Sequence, residues 1–228
     1  MTNSINKVEP KLTTLQEVIY TDANRYFDGV IKAINEAEKS IDLEVYIFDH
    51  DDLSKRIIEA LMHAAKRNIH VRVLVDGVGA CMDFYHIANQ LLKAGADVKI
   101  FHPLPWHLEQ WKLSLSHSKG ITKLLHLAAS INKRDHRKLT LIDQRSAWLG
   151  SLNISQKHLP RKNKGESWRD TAIEISGTDL EPLQIAFDTC WHKSSMKQSA
   201  LYLPHTPFIF NFTRLLRVKQ RKRLLRRI

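Results

Sequence analysis

The sequence predicts an α/β domain with a mixed, largely parallel β-sheet flanked by helices, and two patterns lead to this prediction. Short apolar segments that alternate with period two are separated by longer segments whose apolar residues recur at helical spacing. This succession is typical of parallel strands joined by crossover helices. With 228 residues, of which 43% are hydrophobic, the chain is long enough to bury a substantial core.

The elements follow one another regularly over the first hundred residues. Strands are expected at 15–20, 41–48, 69–77 and 97–101, and helices at 25–40 (after Asp22 as a candidate cap), 52–68 and 82–95. Beyond a hairpin at 136–153, a strand is expected at 169–177 and a helix at 179–194. We therefore expect a loose N-terminus at 1–14, a single domain at 15–195, and a linker with a basic helix at 196–228.

Residues 102–133 break this regular succession. They contain two prolines, two tryptophans and four histidines: Trp106, Trp111, His102, His107, His117 and His126. A segment of this length and composition predicts an active-site loop or lid. The histidine spacings fit no compact zinc pattern, so no metal site is predicted.

The net charge of +11 is concentrated at the C-terminal end. Residues 214–228 hold eight Lys or Arg and no acid, which leaves 27 basic against 24 acidic residues elsewhere. We interpret this segment first as a linker helix, with attraction to an anionic membrane as a secondary property and nucleic-acid binding as a further alternative. No apolar run reaches membrane-spanning length, no signal peptide is apparent, and Cys81 and Cys190 are expected to be reduced thiols of a cytoplasmic protein.

The segment 136–153, HRKLTLIDQRSAWLGSLN, carries the functional signal. It reads as strand, turn and strand, with His136 and Lys138 on one face of the first arm. Ser151 and Asn153 likewise share a face at the end of the second arm. An imidazole can attack phosphorus, while Lys, Ser and Asn side chains can bind the non-bridging oxygens. The pattern therefore predicts metal-free phosphodiester chemistry through a phosphohistidine, with no cofactor.

Two further acids are candidates for this site. Asp143 falls at the start of the turn, where an aspartate commonly bonds its own turn backbone, so we expect it to support the site structurally. A nucleophilic histidine also needs a group that fixes its tautomer. Asp170, at the start of the next predicted strand, is the first candidate for this role and Glu174 the second.

These residues resemble the phospholipase D superfamily signature HxK(x)4D(x)6GSxN, which is met at His136, Lys138, Asp143, Gly150, Ser151 and Asn153. The similarity extends over about 15–195 and the tail. Over this range the sequence resembles the N-terminal half of bacterial cardiolipin synthases. It implies a catalytic set of His136, Lys138, Asp143 and Asp170. His136 would be nucleophile or acid/base, Lys138, Ser151 and Asn153 would bind phosphate, and Asp170 would orient the histidine.

The resemblance also implies an activity and its partners. A phosphatidyl group would pass from one phosphatidylglycerol to another, at the inner face of a bacterial membrane to which the protein is peripherally bound. Such sites combine two motifs, whereas this chain has one, since His117-x-Lys119 lacks the rest of the signature. Two copies would pair as a homodimer, or the chain is the first half of a longer enzyme. The tail, which ends within a predicted helix, favours truncation.

Two alternative functions stay open at this point. Cardiolipin synthases often have Gly where Ser151 stands, so Ser151 and the basic tail also fit a metal-independent homodimeric nuclease. The other alternative is an inactive half that retains anion or membrane binding.

Overall fold

The computed structural model of the chain describes residues 15–80, 84–102, 134–159, 170–177 and 179–194. Within these ranges seven strands form one sheet, in the order β1-β7-β6-β5-β2-β3-β4. The strands are β1 Gln16–Tyr20, β2 Ser40–Val45, β3 His70–Asp76, β4 Asp97–Phe101, β5 Leu139–Ile142, β6 Ser146–Gly150 and β7 Ala172–Ser176. The helices are α1 Ala23–Glu36, α2 Asp52–Lys66, α3 Phe84–Lys93 and α4 Glu181–Lys193, and a short 3₁₀ turn covers Gln156–His158.

The described part of the chain forms three layers. Apolar residues of α1, α2 and α3 pack on one face of the sheet around Ile41, Leu43 and Val73. On the other face α4 packs against the sheet through Phe187 and Trp191. Burial on both faces is the reason that β3 has an almost continuous apolar sequence. The predicted α/β class and flanking helices are confirmed.

The expectation of a largely parallel sheet holds for only two of the six pairings among the described strands. β2, β3 and β4 are parallel, because α2 and α3 carry the chain back between them. The other four pairings among the described strands are antiparallel. β5 and β6 are joined by only three residues, which is too short for a parallel crossover, and the hairpin inserts beside β2.

The turn of this hairpin is closed by a hydrogen bond from the backbone N of Arg145 to the carbonyl of Ile142, 2.9 Å long. Asp143 and Gln144 both have φ near +54°, a left-handed conformation that aspartate tolerates better than most residues. The Asp143 carboxylate accepts hydrogen bonds of 2.7–2.9 Å from the backbone N–H groups of Glu38, Lys39 and Ser40. The predicted bond to its own turn is thus replaced by bonds to the loop between α1 and β2.

Candidate active site

His136 and Lys138 lie in the extended segment that leads into β5, and their side chains meet. The Lys138 Nζ atom is 3.2 Å from Nδ1 of His136 and 2.7 Å from the His136 carbonyl oxygen. Lys138 is buried, with 7% of its surface exposed, while His136 is exposed to solvent. Burial lowers the pKa of Lys138, an effect that the charges of Asp135 and Asp170 oppose. A half-desolvated cation therefore lies beside an accessible imidazole.

Tyr46 completes this pair from the end of β2. Its ring centroid lies 4.7 Å from that of His136 and 5.3 Å from Nζ of Lys138. The second distance places the ammonium within cation–π range of the ring. Sequence reasoning did not select Tyr46. The available signal was the antiparallel pairing of β2 with β5, which sets residues after β2 beside residues before β5.

Asn153 lies just beyond β6, and the backbone that follows β2 orients its side chain. Its Oδ1 accepts a hydrogen bond of 3.1 Å from the backbone N–H of Ile47. This bond assigns the amide nitrogen, with two N–H donors, to the other side of the group. Asn153 is buried, so its orientation is fixed by the surrounding structure. The amide can therefore offer donors to an anionic ligand, as its predicted role requires.

Among the described residues, Asp170 bonds to two side chains, and His136 is not one of them. Its Oδ1 accepts the hydroxyl of Ser151 at 2.7 Å, and its Oδ2 lies 2.6 Å from Nδ1 of His158. Burial opposes ionisation of Asp170, but the bonds to Ser151 and His158 outweigh it and hold its pKa below the ordinary value. The structure thus differs from the predicted pairing of Asp170 with His136. His158 is not among the site residues that the sequence predicts.

Glu174, the second candidate, points elsewhere. Its Oε2 accepts a hydrogen bond of 2.9 Å from the Tyr20 hydroxyl, at the edge of the sheet. The prediction failed because β7 begins at Ala172, so the alternation of side chains along a strand does not connect Asp170 with Glu174. Neither acid contacts His136 in the described part of the chain.

Asp143 lies at the opposite end of β5 from the His136–Lys138 pair. Burial opposes its ionisation, yet the three backbone N–H bonds at Glu38, Ser40 and Lys39 prevail and lower its pKa. A carboxylate that accepts three backbone bonds is held in place and stays ionised at neutral pH. This geometry supports the structural role expected for Asp143 within the signature.

A buried charged cluster lies behind the site, between β2 and α4. Nη2 of Arg137 is 2.8 Å from Oε1 of Glu44, 3.0 Å from Oδ2 of Asp135 and 2.6 Å from Sγ of Cys190. Burial raises the pKa of Glu44 to about 9, and the neighbouring Asp135 adds to this shift. This pKa favours the protonated form of Glu44 at neutral pH, while the bonds from Arg137 help to hold the pKa of Asp135 below its ordinary value.

The same cluster offers three possible metal ligands, since the ligand atoms of Glu44, Asp135 and Cys190 lie within 4.8 Å of one another. However, the Arg137 guanidinium contacts all three groups and supplies the positive charge there. Burial also raises the pKa of the Cys190 thiol to about 11, so the thiolate that a metal needs is disfavoured. The cluster is suited to hold the backbone of 135–137 rather than an ion.

The segment Asp-Gly-Val-Gly at 76–79 contacts the backbone that carries the site. Asp76 accepts hydrogen bonds from the backbone N–H groups of Asp135, at 3.0 Å, and Val78, at 2.8 Å. Gly79 lies directly against the backbone of Tyr46, where a Cβ atom would come within 1.5 Å of the carbonyl oxygen. Only glycine fits between these two backbones. The contact brings the end of β3 against the end of β2.

Several expectations fall outside the described residues. These are the loop of residues 103–133 with its histidines and tryptophans, the segment 160–169, Cys81, the N-terminus 1–14 and the tail 195–228. Among the helices that the structure describes, none has both the length and the apolar character needed to cross a bilayer.

Comparison with known proteins gives a family match. The family described as cardiolipin synthase, PLD-like domain, matches residues 30–191. A cardiolipin synthase of Clostridium perfringens (strain SM101) is 36% identical over 173 residues, which cover 76% of this chain and 32% of that protein. The major cardiolipin synthase of Bacillus subtilis (strain 168) is 29% identical over 187 residues, covering 82% and 35%. The chain thus spans about a third of the length of these curated relatives.

Solved structures show the same fold. Nuc from Salmonella typhimurium, a phospholipase D family member, aligns with a TM-score of 0.53 and 17% identity, covering 80% of this chain and 96% of that one. NucT from Helicobacter pylori aligns with a TM-score of 0.55 and 15% identity, covering 81% and 100%. At such low identities the likeness concerns the fold alone.

Proposed function

Because the chain belongs to the phospholipase D-like family of cardiolipin synthases, we propose that it transfers phosphatidyl groups between phospholipids through a covalent phosphohistidine at His136. One observation carries the proposal: the buried ammonium of Lys138 lies 3.2 Å from the imidazole of the exposed His136. A phosphodiester that approaches the histidine meets a fixed positive charge at the same point. Such preorganised charge stabilises the crowded anionic transition state of phosphoryl transfer.

Lys138 and Asn153 would share the binding of the phosphate oxygens. Lys138 supplies the positive charge. The Oδ1 atom of Asn153 accepts the backbone N–H of Ile47, so the amide N–H donors of Asn153 point away from Ile47. In the structure Lys138 also donates to Nδ1 of His136, which places the neutral imidazole's proton on Nε2. Attack through Nε2 needs the proton on Nδ1. We therefore infer that Lys138 moves from Nδ1 to the phosphate when substrate binds.

In the first step the imidazole nitrogen would form a bond to phosphorus while the bond to the leaving glycerol oxygen breaks. That oxygen takes a proton from a second acid. In the second step an acceptor hydroxyl gives its proton to the same group and displaces His136 from phosphorus. The resemblance assigns this acid/base group to a second motif. A homodimer partner or a second half would supply it. This agrees with the chain covering only about a third of the length of its relatives.

The substrate would be met at the surface of an anionic membrane. Phosphatidylglycerol-like donors are themselves anionic, and the excess of positive charge in the chain resides in residues 214–228. Each Lys or Arg near an anionic bilayer contributes about 1 kcal/mol of attraction. This supports a cytoplasmic protein that binds peripherally to the inner membrane.

The test uses the full chain with vesicles of phosphatidylglycerol, and measures cardiolipin and free glycerol by mass spectrometry. We expect equal amounts of both products from the wild type and none from His136→Gln. His192→Gln is the matched control, because His192 is exposed on α4 and bonds the Asp188 carbonyl. Light scattering on the same sample gives the number of chains in the active species. Turnover that survives His136→Gln would contradict the proposal.

A metal-independent nuclease is the second candidate, and Ser151 favours it. Cleavage of DNA or RNA in excess EDTA, together with no product from lipid, would select this alternative. Binding of inorganic phosphate without turnover of either substrate would instead indicate an inactive half.

A further inference from the structure

His158 lies within the candidate site although it belongs to no part of the signature. It ends the 3₁₀ turn Gln156–His158, and its Nδ1 is 2.6 Å from Oδ2 of Asp170. Only 20% of the His158 side chain and 18% of the Asp170 side chain are exposed. A short hydrogen bond to a carboxylate is stronger when both side chains are largely buried than when they are exposed at the surface.

The carboxylate of Asp170 connects His158 with Ser151. While Oδ2 faces the imidazole, Oδ1 accepts the Ser151 hydroxyl at 2.7 Å. The Ser151 Oγ atom also accepts the backbone N–H of Thr171 at 3.2 Å. The hydroxyl therefore has a defined direction, and that direction depends on where the carboxylate is held.

The turn that carries His158 is anchored to the start of α2. Oγ of Ser155 donates to Oδ2 of Asp49 at 2.7 Å, and the backbone N–H of Gln156 donates to Oδ2 of Asp51 at 2.6 Å. Asp51 is also the cap residue of α2. The backbone that carries His158 is thus held in place by these hydrogen bonds.

Among the described residues, the carboxylates of Asp170 and Asp49 face His158, and each is opposed by a lysine: Lys138 acts on Asp170, and Lys157 binds Asp49 at 2.7 Å. An ionised Asp170 without a partner would repel an anionic phosphodiester bound at Lys138. A hydrogen bond from the His158 ring to Oδ2 reduces that repulsion.

We propose that His158 is a positioning residue of this site, which holds the Asp170 carboxylate against Ser151 and gives its Oδ2 atom a hydrogen-bond partner beside an anionic substrate. The inference rests on the proposed phosphodiester function. It concerns a histidine of this chain that lies outside the HxK signature and acts through another side chain.

The experiment compares two variants of the full chain with a matched control. His158→Gln retains an N–H donor for Asp170 but cannot be charged, whereas His158→Phe loses both properties. His192→Phe makes the same change at an exposed histidine. Each variant is first checked for folding by circular dichroism, and KM and kcat for phosphatidylglycerol are then measured from pH 6 to pH 8.5.

In His158→Gln, which retains the N–H donor, KM and kcat should both stay within about threefold of wild type throughout this pH range. In His158→Phe, KM should rise about tenfold and kcat should fall as well. A His158→Phe variant that behaves like His192→Phe would overturn the inference.

A second measurement separates this inference from the proposed function. The dissociation constant of inorganic phosphate is measured by ³¹P NMR for wild type, His158→Phe and His192→Phe. We expect binding about tenfold weaker in His158→Phe alone. If lipid turnover is absent while this effect is present, the proposed function fails and the role of His158 stands. If turnover is present and phosphate binding is unchanged, the inference about His158 fails.

Discussion

Arg137 and Glu44 form an ion–dipole contact of 2.8 Å behind the candidate site, directed toward α4 and Cys190, while the next residue, Lys138, points toward Tyr46. Consecutive side chains of an extended segment point in opposite directions, so one short segment serves both faces. The buried cluster on one side fixes the backbone that presents His136 and Lys138 on the other.

Glu44→Gln tests the protonation of this cluster. Because the folded pKa of Glu44 is raised to about 9, the folded state holds a proton that the unfolded chain loses near pH 4.3. The stability contributed by this group is complete below that lower value and declines as pH rises toward 9. Glutamine cannot titrate, so the variant should gain stability relative to wild type between pH 5 and pH 9, by at most about 1.4 kcal/mol per pH unit.

Urea unfolding of both proteins at several pH values measures this difference. Asp135 does not obscure it, since its pKa is lowered and its own titration lies in the acid range. A difference between Glu44→Gln and wild type that is constant from pH 5 to pH 9 would show that Glu44 is ionised in the folded protein.

Asp143→Asn tests whether the aspartate of the signature is structural. The variant weakens the bonds from the backbone N–H groups of Glu38, Lys39 and Ser40, and should destabilise the protein by about 1–3 kcal/mol at pH 7. The folded pKa of Asp143 is lowered, so its contribution exists above the unfolded value and is lost in acid. The gap between variant and wild type should therefore narrow below about pH 4.

Unfolding curves at pH 7 and pH 3.5 give this gap, and turnover per folded molecule separates stability from catalysis. We expect turnover per folded molecule to stay within about threefold of wild type. A loss of several hundredfold in a fully folded sample would instead assign a chemical role to Asp143.

Gly79→Ala tests the contact between the ends of β2 and β3. A methyl group at this position would lie 1.5 Å from the Tyr46 carbonyl oxygen, and backbone cannot move aside as a side chain can. We expect a loss of about 2 kcal/mol or more in the free energy of unfolding, measured in urea. Gly95→Ala is an informative control, because Gly95 has φ of +99° but nothing within 4 Å of its added Cβ. It should cost only about 1 kcal/mol of backbone strain; equal losses would remove the steric explanation.

Tyr46→Leu tests the ring beside His136 and Lys138. Removing the aromatic face deprives the Lys138 ammonium of a cation–π contact, worth about 1 kcal/mol, and leaves the imidazole less well fixed. Inorganic phosphate binding, followed by ³¹P NMR, should weaken about fivefold in this variant. Tyr46→Phe keeps the ring and should bind as wild type does. If Tyr46→Phe weakens phosphate binding as much as Tyr46→Leu does, the Tyr46 hydroxyl and not its ring is responsible for the effect.

The sequence predicts the elements well where apolar periodicity is strong. The hairpin around Asp143 and the alternation of β2, α2 and β3 follow from local patterns that tertiary contacts do not oppose. The direction of β5 relative to β2 is set by the layout of the whole sheet, which local patterns do not contain. This is why only two of the six pairings among the described strands match the expectation of a largely parallel sheet.

The partners of polar residues were harder to predict than their presence in the site. Alternation along a strand says which way a side chain points, and not which group meets it. Asp170 precedes β7 and turns to His158, which lies on a separate turn. Asp42 and Glu44 are buried on the second face of β2, because Arg72 and Arg137 reach them there. Such pairings join residues about 30 and 93 positions apart, beyond the reach of a local pattern.

The position of β5 and β6 in the middle of the sheet order has a consequence for how the protein opens. Among the described strands, β5 lies between β2 and β6, β6 lies between β5 and β7, and β1 pairs with β7 alone. Edge strands open in local fluctuations, while inner strands exchange their amide protons only when the whole sheet comes apart. The hairpin, whose open end lies beside both His136 and Ser151, should thus be among the slowest-exchanging parts of the described chain. The site should then survive partial unfolding that starts at β1.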